Sequence, residues 1–299
     1  MPHTYRTVDV PVAGGDLRVG IWEPAEPVTA TVLAIHGITS SHLAWPFVVD
    51  ALPGVRVIAP DLRGRGGSRD VQGPAGMAAH ADDVVAVLDF LGVDRVPVIG
   101  HSMGGFVAVV LADRHPSRVS RLILIDGGLP LDVPAGIAPD QLVQLILGPT
   151  AERLSRRWEG VDEYIEGFWR GHPAFVADWS AELEAYIAYD LVADGDGFRP
   201  ATSYQTTVDD TVDLNLGATL TDALARLSAP TILVTVPRGL QNESPGLYPP
   251  AHLAAVLERY PQVQHVAIED LNHYTVVMSA RGAAQLAPLI EREIQLASA

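Results

Sequence analysis

The sequence predicts an α/β fold with a mostly parallel sheet, an N-terminal antiparallel hairpin, flanking helices and a helical insertion. Three observations carry this prediction. Short apolar runs alternate with helical patterns through residues 1–128, and the same alternation returns in residues 228–299. Residues 129–227 instead lack apolar strand-like runs and are rich in acidic and aromatic residues. We therefore expect a core domain made of the two outer segments, with a helical cap or lid inserted over residues 129–227.

The strands of the core are predicted from short apolar runs bounded by turn residues. Residues 6–10 and 17–22 flank the turn Ala13-Gly14-Gly15-Asp16, which is typical of a β-hairpin. The later runs are separated by helical patterns, which indicates parallel pairing through right-handed crossovers. The predicted buried strands are 30–35, 55–59, 96–99, 121–125, 231–236 and 263–268, and the predicted helices are 77–91, 106–112, 251–260 and 280–296.

Composition excludes several kinds of site and partner. The formal net charge of −16 disfavours binding to nucleic acid and to anionic membrane surfaces. The absence of cysteine excludes disulfides, thiolate metal sites and a cysteine nucleophile. No apolar run is long enough to span a bilayer and no signal peptide is visible, so we expect a cytoplasmic protein. We expect a monomer or a homodimer that acts on a small molecule.

The strongest local motif is Gly100-His101-Ser102-Met103-Gly104, a G-x-S-x-G pattern between a predicted strand and a predicted helix. A nucleophile on such a sharp turn has a strained backbone, and the residues two positions away must be small. The helix that follows points its first amides and its dipole toward developing negative charge. We therefore predict that Ser102 is the nucleophile. The alternative is an ordinary glycine-rich turn with an incidental serine.

Several segments, this motif among them, resemble the α/β-hydrolase superfamily over nearly the whole chain. Serine at position 102 separates the chain from haloalkane dehalogenases and epoxide hydrolases, which carry aspartate there. The resemblance implies a triad of serine, histidine and an acid beside an oxyanion hole, and this chemistry needs no cofactor or metal ion. The matching segments are HGITSSHLAW (36–45), APDLRGRGGS (59–68), GHSMGG (100–105), RLILIDGG (121–128) and NHY (272–274).

The resemblance also implies roles for residues that follow the strands. The amides of Met103 and Ile38 would form the oxyanion hole, and Gly37 would let the backbone approach the substrate closely. His273, in the loop after the last strand, would be the base. Segment 61–68 matches the D-x-x-G-x-G-x-S loop of the family, which is a structural turn.

The acidic member of the triad is left open between two carboxylates. The loop after residues 231–236 has no early acid, and its first carboxylate is Glu243. Asp126 directly follows the strand predicted at 121–125, and both positions reach the same rim of the sheet. We prefer Asp126 and keep Glu243 as the alternative. His101 adjoins the serine, but we expect its side chain to pack away from the site.

Four further residues are candidates for substrate binding. His42 lies in the loop that follows the first parallel strand, Arg238 ends a predicted strand, and Trp158 and Trp169 belong to the insertion. The alternatives are burial within the insertion for its aromatic residues and a surface salt bridge for the arginine. His80 is expected to be solvated or to cap a helix.

The predicted reaction is cleavage of a carboxylic ester or lactone of a small, largely apolar substrate through an acyl-enzyme. The insertion would cover the nucleophile as a lid, because it leaves the sheet where the strands present their carboxyl ends. Two other functions stay open. One is carbon–carbon bond hydrolysis, or a cofactor-free haloperoxidase or lyase reaction, on the same triad. The other is ligand binding without catalysis, which this fold also supports.

Overall fold

Eight strands form one sheet in the computed structural model, which describes residues 3–25, 27–134 and 136–298. Two further strands form a separate hairpin. The strands are β1 (His3–Val12), β2 (Gly15–Pro24), β3 (Ala30–Ile35), β4 (Val55–Pro60), β5 (Val96–His101), β6 (Val119–Ile125), β7 (Leu191–Asp194), β8 (Gly197–Pro200), β9 (Thr231–Thr235) and β10 (Val263–Ala267).

The order of the large sheet is β1-β2-β4-β3-β5-β6-β9-β10, which confirms the predicted fold class. β1 and β2 are antiparallel, whereas the six strands from β4 to β10 in this order pair in parallel. From β3 the chain proceeds to β4 on one side and later to β5 on the other, so the strand order reverses here. Ligands bind at the carboxyl ends of parallel strands where such a reversal occurs. The loops after β3 and β5 are therefore the expected place for a site.

Helices cover both faces of this sheet, and apolar side chains are buried in two large clusters. Within the described ranges, no helix is both long enough and apolar enough to cross a membrane. The helices are α1 (Pro46–Asp50), α2 (Met77–Phe90), α3 (Met103–Arg114), α4 (Pro139–Leu147), α5 (Pro149–Ser155), α6 (Val161–Tyr164), α7 (Ala181–Tyr189), α8 (Tyr204–Leu216), α9 (Thr219–Arg226), α10 (Pro250–Arg259) and α11 (Ala280–Ser298).

The predicted insertion, residues 129–227, contains helices α4 to α9 and the hairpin of β7 and β8. The expectation that this range has no strands is wrong. Each strand has only four residues, and the turn between them uses Gly195 with φ of 64°. Such short strands produce no apolar run that a sequence pattern could detect. Helix α9 packs in the same apolar cluster as α3, and the division into core and cap domains stays a prediction.

Two carboxylates of helix α8, in the predicted insertion, accept hydrogen bonds from backbone amides at the beginning of α2. The amide of Gly76 donates to Asp210 at 2.7 Å, and the amide of Met77 donates to Asp213 at 2.7 Å. These carboxylates satisfy first-turn amides that have no partner within the helix and oppose its positive end. His80 is fully buried and lies 3.0 Å from Asp210, so the expectation of a solvated or capping residue is wrong. Its partner is 130 residues away in sequence, beyond any local pattern.

A buried histidine ends the first parallel strand, and both of its nitrogens are used. His36 is fully buried, with Nδ1 2.7 Å from the carbonyl oxygen of Gly37, while the amide of Leu62 donates to Nε2 at 3.0 Å. Nδ1 must therefore carry the proton, and a second proton on Nε2 would face the Leu62 amide. Burial lowers the pKa of His36 to about 4, and the nearby Asp61 only partly opposes this. The folded protein holds this ring neutral.

We predict that His36 makes the protein less stable in mild acid. The unfolded histidine has an ordinary pKa of about 6.5, so it binds a proton first as the pH falls. The protonation of His36 therefore leaves the free energy of unfolding unchanged above pH 6.5 and lowers it progressively between pH 6.5 and about 4. Between pH 7 and pH 5 this loss from His36 amounts to about 2 kcal/mol. Urea unfolding at both pH values should show a smaller loss for His36→Gln than for the wild type. Equal losses would contradict the assignment.

Candidate active site

Ser102 occupies the turn between β5 and α3, and its backbone is in a conformation that side chains rarely adopt. Its φ is 54° and its ψ is −125°. The turn also packs tightly against the end of β3, because a Cβ on Gly104 would lie 2.0 Å from the carbonyl oxygen of Ile35. A Cβ on Gly100 would lie 2.3 Å from the carbonyl oxygen of Gly104. Both glycines of the motif are therefore required by packing, as the strained turn demands.

The serine lies between two cavities that we name the hydroxyl-lined lobe and the apolar lobe. Their volumes are about 30 Å³ and about 40 Å³, which is room for a few water molecules in each. Both are lined by Ile38, Ser102, Leu240 and His273. The hydroxyl-lined lobe adds Gly37, Thr39, Ser40, His101, Thr150, Tyr186, Tyr274 and Met278, and the apolar lobe adds Met103, Phe106, Asp126, Leu131, Ile146, Thr211, Leu214, Asn215 and Leu247.

His273 is oriented by Asp126. Nδ1 of the imidazole lies 2.6 Å from Oδ2 of the carboxylate, and both side chains are buried. Asp126 follows β6 with φ of 47°, a left-handed conformation that aspartate tolerates better than most residues. The carboxylate accepts the Nδ1 proton and leaves Nε2 as the basic nitrogen. Among the described residues, no hydrogen bond joins Ser102 to His273, although both line the same two cavities.

Glu243, the alternative acid, lies elsewhere. Its side chain is exposed, and its carboxylate accepts a hydrogen bond from the amide of Gln241 at 2.6 Å. The amide of Gly239 donates to the carbonyl oxygen of Glu243 at 2.8 Å, so this residue closes its own loop. The geometry thus joins Asp126, and not Glu243, to the histidine.

Two backbone amides are available beside the serine. Ile38 follows β3, and Met103 is the first residue of α3, where helix amides have no partner in the preceding turn. Within the described ranges, neither amide donates to a protein acceptor. Gly37 permits their close approach, because a Cβ there would lie 3.1 Å from Cβ of Ser102. Two unpartnered donors next to a hydroxyl can stabilise negative charge that develops on a carbonyl oxygen.

His101 lines the hydroxyl-lined lobe, so the expectation that it packs away from the site is wrong. Nε2 lies 2.8 Å from the backbone carbonyl oxygen of His273, and the two rings are 4.8 Å apart between centroids. Burial lowers the pKa of His101 well below its usual value, and the neighbouring His273 lowers it further. The ring is therefore neutral, donates from Nε2, and supports the loop that carries His273.

His42 does not line either lobe, which corrects its prediction as a substrate-binding residue. Its ring is fully buried, with Nδ1 2.8 Å from Asp61 and Nε2 2.7 Å from the hydroxyl of Tyr5. The carboxylate of Asp61 also accepts the amide of His42 itself at 2.7 Å. These hydrogen bonds hold the His42 side chain against the β1–β2 hairpin, outside the lobes that Ser102 lines.

The other three candidates for substrate binding also lie outside the lobes. Trp158 packs edge-on against Tyr164, and Trp169 lies among Phe168, Phe175 and His172 in the insertion. Both indoles are buried, in an apolar cluster that also contains side chains of the large sheet such as Ile125. Arg238 lies 2.8 Å from Asn242 and 3.3 Å from Asp270 on the surface. The surface salt bridge, which was the alternative for Arg238, is what forms.

Residues of the insertion that line the lobes were missed by the sequence analysis. They are Leu131, Ile146, Thr150, Tyr186, Thr211, Leu214 and Asn215. No motif marks them, because their position depends on how the helices of the insertion pack on the sheet. Tyr274, outside the insertion, was also missed, although it directly follows His273 and so had a local signal. No group of three or more histidine and acidic side chains in the described part of the chain is arranged to hold a metal ion.

We predict that Gly104→Ala is strongly destabilising. The new methyl group would overlap the Ile35 carbonyl, which is backbone and cannot rotate away, so the free energy of unfolding should fall by at least about 2 kcal/mol. Gly171→Ala is the matched control, because nothing lies within 4 Å of a Cβ at that position. Urea unfolding of both variants tests this, and equal stabilities would contradict the described packing.

Comparison with known proteins supports the fold. A family model described as the alpha/beta hydrolase fold matches residues 30–172. Lipase LipV of Mycobacterium tuberculosis is 35% identical over 156 residues, which are 49% of this chain and 58% of LipV. Putative carbamate hydrolase RutD of Caulobacter sp. (strain K31) is 28% identical over 212 residues, which are 68% of this chain and 74% of RutD. The alignment thus spans less than two thirds of the length of LipV.

A solved structure extends the likeness over the full chain. E-2-(acetamidomethylene)succinate hydrolase matches with a TM-score of 0.75 at 19% identity, covering 98% of this chain and 100% of that chain. At this identity the match shows the fold and not the reaction. Together with the sheet order, the turn at Ser102 and the family model over residues 30–172, it shows that the chain has the α/β-hydrolase fold.

Proposed function

We propose that this protein is a serine hydrolase that cleaves a carboxylic ester or lactone of a small, uncharged, largely apolar substrate. One observation carries the proposal. A strained serine, an imidazole held by a buried carboxylate, and two unpartnered amides meet at the junction of two cavities. These are the parts that acyl transfer through a covalent intermediate requires.

In the proposed reaction, Ser102 attacks the substrate carbonyl while its proton moves to Nε2 of His273. Asp126 holds the ring and stabilises the imidazolium that forms. The carbonyl oxygen becomes an oxyanion, which accepts hydrogen bonds from the amides of Ile38 and Met103. The intermediate collapses, the C–O bond breaks, and His273 gives its proton to the departing alcohol oxygen. A water molecule then attacks the acyl-enzyme, with His273 as base, and releases the carboxylic acid and the free serine.

The chemistry of the cavity walls supports an uncharged substrate. The chain contains no lysine, and no arginine is among the described residues that line either lobe; the one carboxylate among these residues, Asp126, is engaged by His273. A charged group buried there would lack a partner, which costs several kcal/mol. Phe106, Leu214 and Leu247 favour an alkyl or aryl group in the apolar lobe. The other part of the substrate, on the far side of Ser102, would contact the hydroxyl groups of the hydroxyl-lined lobe.

The insertion would act as a lid in this proposal. Its residues supply walls of both lobes, among them Tyr186 for the hydroxyl-lined lobe and Leu214 for the apolar lobe. A wall made from another layer of the fold excludes water, which strengthens the interaction of the two amides with the oxyanion.

A carbamate is the second candidate substrate. RutD is named a putative carbamate hydrolase and aligns with 68% of this chain. A carbamate carbonyl would use the same serine, the same base and the same amides. Aryl carbamates tested beside aryl esters of equal size would separate the two, by the ratio of their kcat/KM values.

We predict that Ser102→Ala abolishes turnover of p-nitrophenyl esters with short acyl chains. The variant lacks the attacking oxygen, so kcat should fall by at least about 10³-fold. Ser117→Ala, which changes an exposed serine, is the control and should behave as the wild type. A phosphonate that reacts with activated serines should add its mass to the wild type and not to Ser102→Ala. Unchanged turnover in Ser102→Ala would remove the serine from the mechanism.

A second pair of variants tests the acid. Asparagine in place of Asp126 would keep the left-handed backbone and the volume but could not hold the required imidazole tautomer. Asp126→Asn should therefore lower kcat by about 10⁴-fold, as in a comparable triad. Glu243→Gln should keep kcat close to the wild-type value, because Glu243 closes an exposed loop. The opposite ranking of the two variants in steady-state ester hydrolysis would overturn the assignment.

A further inference from the structure

One fully buried arginine links the insertion to the backbone beside the serine. Arg65 lies in segment 61–68, the turn for which the sequence suggests only a structural role. Its Nε donates to the carbonyl oxygen of Ile38 at 2.8 Å, and its Nη1 donates to the carbonyl oxygen of Arg63 at 2.9 Å. Its Nη2 lies 2.6 Å from the carboxylate of Asp210 on α8. Each nitrogen of the guanidinium thus has an acceptor.

The same guanidinium contacts both residues of the proposed oxyanion hole. Besides the Ile38 carbonyl, it meets the sulfur of Met103, which lies 3.8 Å from Nη2. Because each peptide unit is planar, the bond to the Ile38 carbonyl fixes the unit that joins Ile38 to Thr39, directly next to the unit that carries the Ile38 amide. Arg65 thus anchors the loop on one side of the Ile38 amide, and His36 holds the unit of the amide itself through the Gly37 carbonyl at 2.7 Å.

The partner of the guanidinium is itself held firmly. Asp210 is fully buried and accepts hydrogen bonds from the amide of Gly76 at 2.7 Å and from His80 at 3.0 Å, in addition to Arg65. Two of these donors belong to the beginning of α2, in the sheet-bearing part of the chain. A buried carboxylate with three donors fixes the direction of the bond that it makes to arginine.

We propose that Arg65 is a positioning residue that couples α8 of the insertion to the oxyanion hole. Asp210 holds the guanidinium, and the guanidinium holds the loop that carries the Ile38 amide. The inference rests on the proposed function for its catalytic consequence, because it assumes that the Ile38 amide receives the oxyanion. The coupling between the insertion and the loop is a property of the folded chain and does not depend on which ligand binds.

A second buried arginine of the same turn supplies a matched control. Arg63 makes two hydrogen bonds of 2.7 Å to Asp83 and contacts carbonyl oxygens of the turns around it. Among the described residues, no hydrogen bond or salt bridge joins its side chain to Ile38 or to residues 129–227. Arg63→Lys and Arg65→Lys therefore make the same chemical change in the same turn, and only the second breaks the link.

The first measurement is hydrogen exchange, which needs no reaction. In Arg65→Lys and in Asp210→Asn, amides in peptides covering residues 36–45 should exchange at least about tenfold faster than in the wild type. In Arg63→Lys the same peptides should exchange at the wild-type rate, even if its melting temperature falls as much as that of Arg65→Lys. Equal exchange of residues 36–45 in Arg65→Lys and Arg63→Lys would overturn the coupling. If Arg65→Lys fails to fold, Asp210→Asn decides by the same comparison.

The second measurement is steady-state ester hydrolysis at a temperature where every variant is folded. Displacing one oxyanion donor should lower kcat of Arg65→Lys by about 10-fold to 100-fold and leave KM within about threefold, because ground-state contacts persist. Arg63→Lys should keep its kcat. An unchanged kcat in Arg65→Lys, with Ser102-dependent turnover in the wild type, would overturn the positioning role. Turnover that does not depend on Ser102 would instead overturn the proposed function, while the exchange result still decides the coupling.

Discussion

The close contact between the first turn of α3 and the end of β3 is the constraint on which the site depends. Only glycine at position 104 allows it, because a side chain there would overlap the Ile35 carbonyl. The contact brings two backbone segments that are far apart in sequence to the same point. One ends in the free amide of Ile38 and the other begins with that of Met103. The strained conformation of Ser102 persists because the packing around it leaves no relaxed alternative.

Much of this arrangement could be predicted from sequence, because its signals are local. The G-x-S-x-G motif lies between a clear strand and a clear helix, and His273 follows the last apolar run. The choice of acid was open for a physical reason. β6 and β9 are neighbours in the sheet, so the residues that follow them emerge at the same rim. Only side-chain geometry separates Asp126, 2.6 Å from the histidine, from Glu243 in its exposed loop.

The residues that the sequence missed depend on contacts between distant segments. Nothing in the composition of α8 shows that Asp210 pairs with Arg65 and His80, or that Leu214 lines the apolar lobe. Conversely, His42, Trp158 and Trp169 have the chemistry of binding residues but are used for burial. An aromatic or histidine side chain carries the same sequence signal in both settings, so only the packing distinguishes them.

The two lobes share only four lining residues, so evolution can alter the walls of each lobe almost independently. A substitution at Phe106 or Leu247 reshapes one chamber and leaves the walls of the other intact. In the proposed function, the two halves of a ligand bound across Ser102 would therefore contact largely separate sets of side chains. Single mutations in one lobe would then change the preference for one half of the ligand and leave the contacts of the other half and the proposed reacting groups in place.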